Sequence, residues 1–114
     1  MSLLSTDPGT LSDVVAAHER LLVLFWAPWC HHCRNFRPRF EHMAAANPDI
    51  AFAGFQIGDD EASQAVLDDL GLTAIPSLLV FQGGQWIDSH SGDIPDAEFG
   101  ELVGRLRTAP VPAL

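Results

Sequence analysis

The residues Leu21-Leu-Val-Leu-Phe-Trp-Ala27 form an unbroken apolar run. A run of strand length with no polar alternation needs apolar cover on both faces, so it predicts a central strand in a sheet flanked by other layers on each side. It is the longest apolar stretch in the chain and is too short to cross a bilayer. Pro28, Trp29 and Cys30 follow directly. The strand therefore delivers them to the carboxyl edge of its sheet.

The period then changes. From His31 to about Ala46, Phe36, Phe40, Met43 and Ala44 recur at helical spacing, which predicts a helix with one buried stripe. Pro38 lies inside it and is expected to kink it, because its ring crowds the preceding turn and it has no N–H for the carbonyl of Arg34. Asn47-Pro48-Asp49 ends it. Ile50–Ile57 reads as a second strand, interrupted by Gly54, and Gly58-Asp-Asp-Glu61 as the loop into a helix carrying Ala62, Ala65, Val66 and Leu70. Gly71 is placed to terminate that helix in a left-handed conformation.

Upstream, Thr10-Leu-Ser-Asp13 opens a helix bearing Leu11, Val14 and Val15, with His18 on its surface. Downstream, Ser77–Phe81 and Gln85–Ser89 read as a hairpin around Gln82-Gly-Gly84. The last helix has Pro95 near its start, acids early, Arg105 and Arg107 late, and a Phe99, Leu102, Val103, Leu106 stripe. The acids and arginines stand where each complements the helix dipole. This order predicts an α/β domain whose first strands are parallel and whose end is antiparallel, with helices over both faces. At 114 residues and 47% hydrophobic composition, one domain over 1–114 can bury its own core. Residues 1–9 and 108–114, the latter including Ala109-Pro-Val-Pro112, are expected as less ordered ends.

Fifteen acids against six bases give a net charge of -9. That balance argues against nucleic acid or an anionic membrane as partner, since both call for a basic surface, and it disfavours acidic partners as well. No charged and apolar leader opens the chain. The expectation is a cytoplasmic protein with its thiols at rest reduced, an exported domain lacking its signal being the alternative.

Cys30 and Cys33 are the only cysteines. A thiol attacks as its thiolate, and a helix N-terminus supplies unpaired N–H groups and the positive end of a dipole to stabilise it. Cys30 falls at that position. Cys33 lies one turn on, near enough to close a disulfide, and shares its stripe with Phe36 and Phe40. The spacing thus makes Cys30 the attacking nucleophile and Cys33 the buried resolving thiol. His31 and His32, when protonated, and Arg34 and Arg37 at longer range, favour the thiolate. A structural disulfide is a poor alternative, because so short a loop constrains little unfolded-state entropy. A zinc site is another, but successive residues at a helix start do not converge on one point, and His42 or His90 would have to join without a recognisable spacing.

Phe25-Trp-Ala-Pro-Trp-Cys-His-His-Cys33, Pro38, Ile75-Pro76-Ser77, Gly84 and Gly92 together resemble the thioredoxin family, and the match spans nearly the whole chain. Only Leu3-Leu4 is available for that family's first strand. The resemblance implies a three-layer α/β/α sandwich with a mixed central sheet, and a thiol–disulfide oxidoreductase acting on protein disulfides. It implies no cofactor and no metal. Partners would be proteins with disulfides or thiols, plus a thiol or disulfide reagent that resets the pair, and the protein would act as a monomer. It also implies that Pro76 is cis and packs on the cysteine pair. Trp29, Ile75, Pro76 and Gly92 would form a groove for an extended substrate, the backbone of Ile75 pairing with it in strand fashion.

Two departures qualify the match. Thioredoxins carry a buried Asp where this chain has Leu24, and commonly a Lys where it has Gly54, so Cys33 lacks an obvious buried base. They carry Gly-Pro between the cysteines, where this chain has His31-His32. A His before the second Cys is similar to protein disulfide isomerase domains and the periplasmic disulfide oxidase, which implies a couple less reducing than thioredoxin. The alternative function is a redox-inert or metal-linked module that uses the same groove to hold a partner.

Overall fold

The computed structural model describes residues 3–108. In chain order it contains β1 (Leu3–Thr6), α1 (Leu11–Ala17), β2 (Arg20–Trp26), α2 (His31–Ala46), β3 (Ala51–Gln56), α3 (Glu61–Leu70), β4 (Ser77–Gln82), β5 (Gln85–Ser91) and α4 (Asp96–Thr108). The strands form one mixed sheet in the order β1-β3-β2-β4-β5. β1, β3 and β2 are parallel, whereas β4 runs antiparallel to β2 and to β5. The sheet is therefore mixed as expected. β2 occupies its centre.

The side-chain period of two splits the apolar run between two cores. Leu22, Leu24 and Trp26 face the layer that holds Phe36 and Phe40 of α2 and Phe99 and Leu102 of α4. Leu21, Val23 and Phe25 face the other, with Val14 and Val15 of α1 and Val66 and Leu67 of α3 packed against them. These two layers and the sheet make the predicted α/β/α sandwich. On the first face the rings of Phe40 lie 5.3 Å from Phe52, 6.3 Å from Phe36 and 6.2 Å from Phe99. That cluster seats α2 on the sheet.

The start of the chain departs from expectation. Residues 3–9 are not a loose end, because Leu3–Thr6 pairs with β3 through Leu3 to Phe52, Leu4 to Ala53, Ser5 to Gly54 and Thr6 to Phe55. The outer edge of β3 carries backbone groups that need partners, and β1 supplies them. The Asp7 carboxylate then accepts the N–H groups of Gly9 at 2.9 Å and Thr10 at 3.0 Å, which organises the turn into α1. At the other end α4 continues through Thr108, one residue into the expected tail. Residues 1–2 and 109–114 of the two expected ends lie outside the described residues. Gly71 takes φ +67° and closes α3 as predicted.

Candidate functional site at the carboxyl edge of the sheet

β2 ends at Trp26, and the chain turns at once, with the Cys30 N–H donating to the carbonyl of Ala27 at 3.1 Å. Cys30 is the N-cap of α2. Its sulfur accepts the N–H of Cys33 at 3.3 Å, so it receives one of the donors a helix start leaves without a partner. The same sulfur lies 3.9 Å from the carbonyl oxygen of Ile75, to which its thiol donates. Cys30 is half-buried and Cys33 fully buried, both as free thiols. The asymmetry expected from the helical stripe is present in the fold.

Ile75 and Pro76 are joined by a cis peptide bond. The N–H of Gly92 donates to the carbonyl of Pro76 at 2.8 Å, and Gly92 holds φ +86°, a left-handed conformation that favours glycine. Cys30, Cys33, Ile75, Pro76 and Gly92 are thus linked by direct contacts. Trp29 stands beside them, 73% exposed, which is exceptional for an indole and leaves its face open to a partner. His31 and His32 are exposed, with ring centroids 5.8 Å apart. Neither hydrogen-bonds a cysteine sulfur among the described residues, so any effect they have on the pair is electrostatic.

Leu24 is 1% exposed and pairs with Gly54 on β3 and Leu78 on β4. A Cβ on Gly54 would lie 3.5 Å from Trp26 Nε1. The indole covers the space over this glycine. Cys33 therefore shares its core with Leu24, Trp26, Phe36 and Leu78, and no acid is among them. Burial first, and the contact with Cys30 second, push the Cys33 thiol up from 9.0 to about 12.

This has a measurable consequence for stability. The unfolded chain releases the Cys33 proton near its ordinary value, while the folded chain retains it, so stability is full below about pH 9 and is lost as pH rises toward 12. Inside that window the loss amounts to about 1 kcal/mol per pH unit. Urea unfolding of the reduced protein at pH 8 to 10.5 is expected to weaken more steeply than that of reduced Cys33→Ala. Parallel slopes would contradict the burial argument.

Among the described residues no group of three or more His, Cys, Asp or Glu side chains gathers as metal ligands would. His90 instead meets Asp88 at 3.1 Å. Sequence reasoning gave Arg34 and Arg37 only a distant role beside the thiolate, and missed what Arg37 does locally. Its guanidinium lies 4.1 Å over the Trp26 ring, at one side of a groove that Pro28, Arg34, Pro38 and Glu41 also line. The i, i+3 spacing of Arg34 and Arg37 was the available signal.

Residues 3–104 match the family described as Thioredoxin. The chain belongs to the thioredoxin family. Thioredoxin from Streptomyces clavuligerus is 33% identical over 107 residues, covering 94% of this chain and 92% of that one. A putative thioredoxin 2 from Streptomyces coelicolor is 32% identical over 95 residues, 83% of this chain and 69% of the relative. Among solved structures, spinach chloroplast thioredoxin f superposes with a TM-score of 0.83 over 94% of this chain and 95% of its own, at 16% identity, which speaks to the fold alone. Membership of the thioredoxin family makes the protein a thiol–disulfide oxidoreductase.

Proposed function

We propose that Cys30 and Cys33 carry electron pairs between this protein and the disulfides of other proteins. The observation that carries the proposal is the unequal placement of the two sulfurs: one caps a helix at the surface, and the other is buried one turn away. In the reducing direction the Cys30 thiolate attacks one substrate sulfur, the substrate S–S bond breaks, and the departing thiolate takes a proton. Cys33, on losing its proton, then attacks the Cys30 sulfur. This releases the second substrate thiol and leaves the Cys30–Cys33 disulfide, two electrons having passed to the substrate. An external dithiol, or two external thiols in turn, resets the pair and is left as a disulfide. Trp29, Ile75, Pro76 and Gly92 line the groove for the substrate, and the Ile75 backbone pairs with it.

The second step is the demanding one. Burial keeps Cys33 protonated, and neither Leu24 nor Gly54 supplies a base. Water, or His32 at the mouth of the site, takes its proton. His31 and His32, when protonated, also favour the Cys30 thiolate, which stabilises the reduced form and makes the couple more oxidising. Both cysteines are spent on the exchanging pair and none on a structural disulfide, which supports work in a reducing cytosol.

Equilibrating the protein with glutathione buffers tests the proposal. The expected reduction potential lies within about -120 to -230 mV, the span from strong oxidases to glutaredoxins, against about -270 mV for thioredoxin. A value at or below thioredoxin's would overturn the less reducing character. Thiols that never pair across that range would overturn the redox reading and favour a binding module.

A further inference from the structure

The charge of this protein is segregated. α2 holds three of the six arginines and three of the five histidines, with Glu41 as its single acid. The remainder of the chain is left with fourteen acids against Arg20, Arg105 and Arg107. The expectation that acidic partners are disfavoured treats the net charge as evenly spread. Over a body of 36 × 31 × 25 Å, with a screening length of about 8 Å at physiological ionic strength, a ligand at the site feels the nearest charges and not the sum.

The nearest charges can be named. Asp93 and Asp96 are both bound by Arg39, the second at 2.6 Å. Asp59, Asp60 and Glu61 follow β3 at the same edge of the sheet but lead into α3, on the face opposite α2. On the α2 side, Arg34 makes no ion pair among the described residues. Arg37 meets Glu41 at 3.3 Å, with both side chains more than two-fifths exposed. Such a pair contributes little and opens easily.

These two arginines line a groove of about 300 Å³ with Trp26, Pro28 and Pro38 as its apolar part and Glu41 as its one acid, the carboxylate an incoming acidic group would displace from Arg37. The Arg37 guanidinium is already held against the Trp26 ring, so less freedom is lost when it takes a carboxylate. The groove is built on residues that flank the cysteines in the chain: the backbone N–H of Arg34 donates to the carbonyl of Cys30 at 3.2 Å in the first turn of α2, and Pro28 lies two residues before Cys30. At about 3.3–3.6 Å of reach per extended residue, residues flanking a substrate cysteine on Cys30 come within range of it.

We propose that the groove formed by Arg34 and Arg37 over Trp26, Pro28 and Pro38 receives an acidic side chain next to the substrate's cysteine. The protein therefore favours acidic disulfide-bearing polypeptides despite its own net charge of -9. This rests on the oxidoreductase function proposed above and adds the class of substrate. Charge at such a rim acts mainly on the rate of encounter, and salt removes it.

The test uses three synthetic disulfide-linked peptides, identical except that Glu, Gln or Lys flanks the cysteine. The rate of their reduction by the reduced protein is divided by their rate with dithiothreitol, which cancels the intrinsic effect of the flanking charge on the disulfide. At low salt the Glu peptide is expected to react about tenfold faster than the Lys peptide, with Gln between, and the ratio to approach one in 0.5 M NaCl. The double variant Arg34→Gln, Arg37→Gln is expected to lose most of the preference, because the ratio cancels any change in Cys30 reactivity common to all peptides. Arg34→Gln alone, exposed and making no ion pair, is expected to lose part of it without disturbing the Trp26 stack. Arg105→Gln is expected to keep it, since the end of α4 lies at the opposite end of β2, where Leu106 accepts from Arg20 Nε at 2.9 Å. A ratio at or below one at low salt, or one unchanged in both Arg34 variants, overturns the proposal. Failure of even the Gln peptide to be reduced would instead overturn the oxidoreductase function on disulfide polypeptides.

Discussion

Replacing Cys30 with Ser is expected to lower insulin-disulfide reduction by at least about 10³-fold, as loss of a nucleophile does in covalent catalysis, whereas Cys33→Ser is expected to halt the same reaction halfway. The difference follows from placement. Cys30 caps α2, receives the N–H of Cys33 and is reachable from solvent, so it makes the first bond to substrate. Cys33 is fully buried in the core that holds Leu24, Trp26, Phe36 and Leu78, and the reactive group it meets is the sulfur of Cys30. Without Cys33 the mixed disulfide on Cys30 has no internal route to release and accumulates as a covalent adduct. Gel electrophoresis without reductant, on each variant incubated with a disulfide-linked substrate, distinguishes the two. An adduct on Cys30→Ser but not on Cys33→Ser would reverse the assigned roles, and equal negligible rates for the native protein and Cys30→Ser would favour a binding module.

Phe40→Ala is expected to cost about 3–5 kcal/mol, the usual range for removing a buried ring from a packed core. Phe40 has no exposed surface, and its ring meets those of Phe36, Phe52 and Phe99, so it joins α2 to β3 and to α4. A small domain has about 5–15 kcal/mol in all. The variant should stand close to the edge of folding, and any folded population should hold α2, and with it Cys30, less firmly against Ile75. Urea titration reads the loss as a shift in midpoint at constant slope. A cost under about 1 kcal/mol would mean that the surrounding rings collapse into the space, contrary to the packing described.

Much of this was legible in particular residues. Leu21–Ala27 announced a strand covered on both faces because no polar residue interrupts it, and β2 is that strand. Phe36, Phe40 and Ala44 share one stripe, so the span of α2 and the inward turn of Cys33 could be read from spacing alone. Gly71 marked its helix end because only glycine takes that conformation at no cost. β1 was less legible: Leu3-Leu-Ser-Thr6 is short and lies at an edge, so its partner is the exposed side of β3 and not a pattern within itself.

The local chemistry of the Cys30–Cys33 pair was set by sequence, since a cap position and a one-turn spacing are properties of neighbouring residues. The chain's order and period likewise determined a mixed α/β sandwich. Only the tertiary structure decided that Ile75, more than forty residues further along the chain, meets Cys30, and that Gly92 binds Pro76, the residue after Ile75. It alone decided that Arg37 lies on Trp26, and that a chain acidic in sum gathers Arg34 and Arg37 in one groove. Composition adds charges without regard to distance, whereas screened electrostatics falls away over about 8 Å at physiological ionic strength and van der Waals contact within a few ångströms. Which residues come that close is settled by packing.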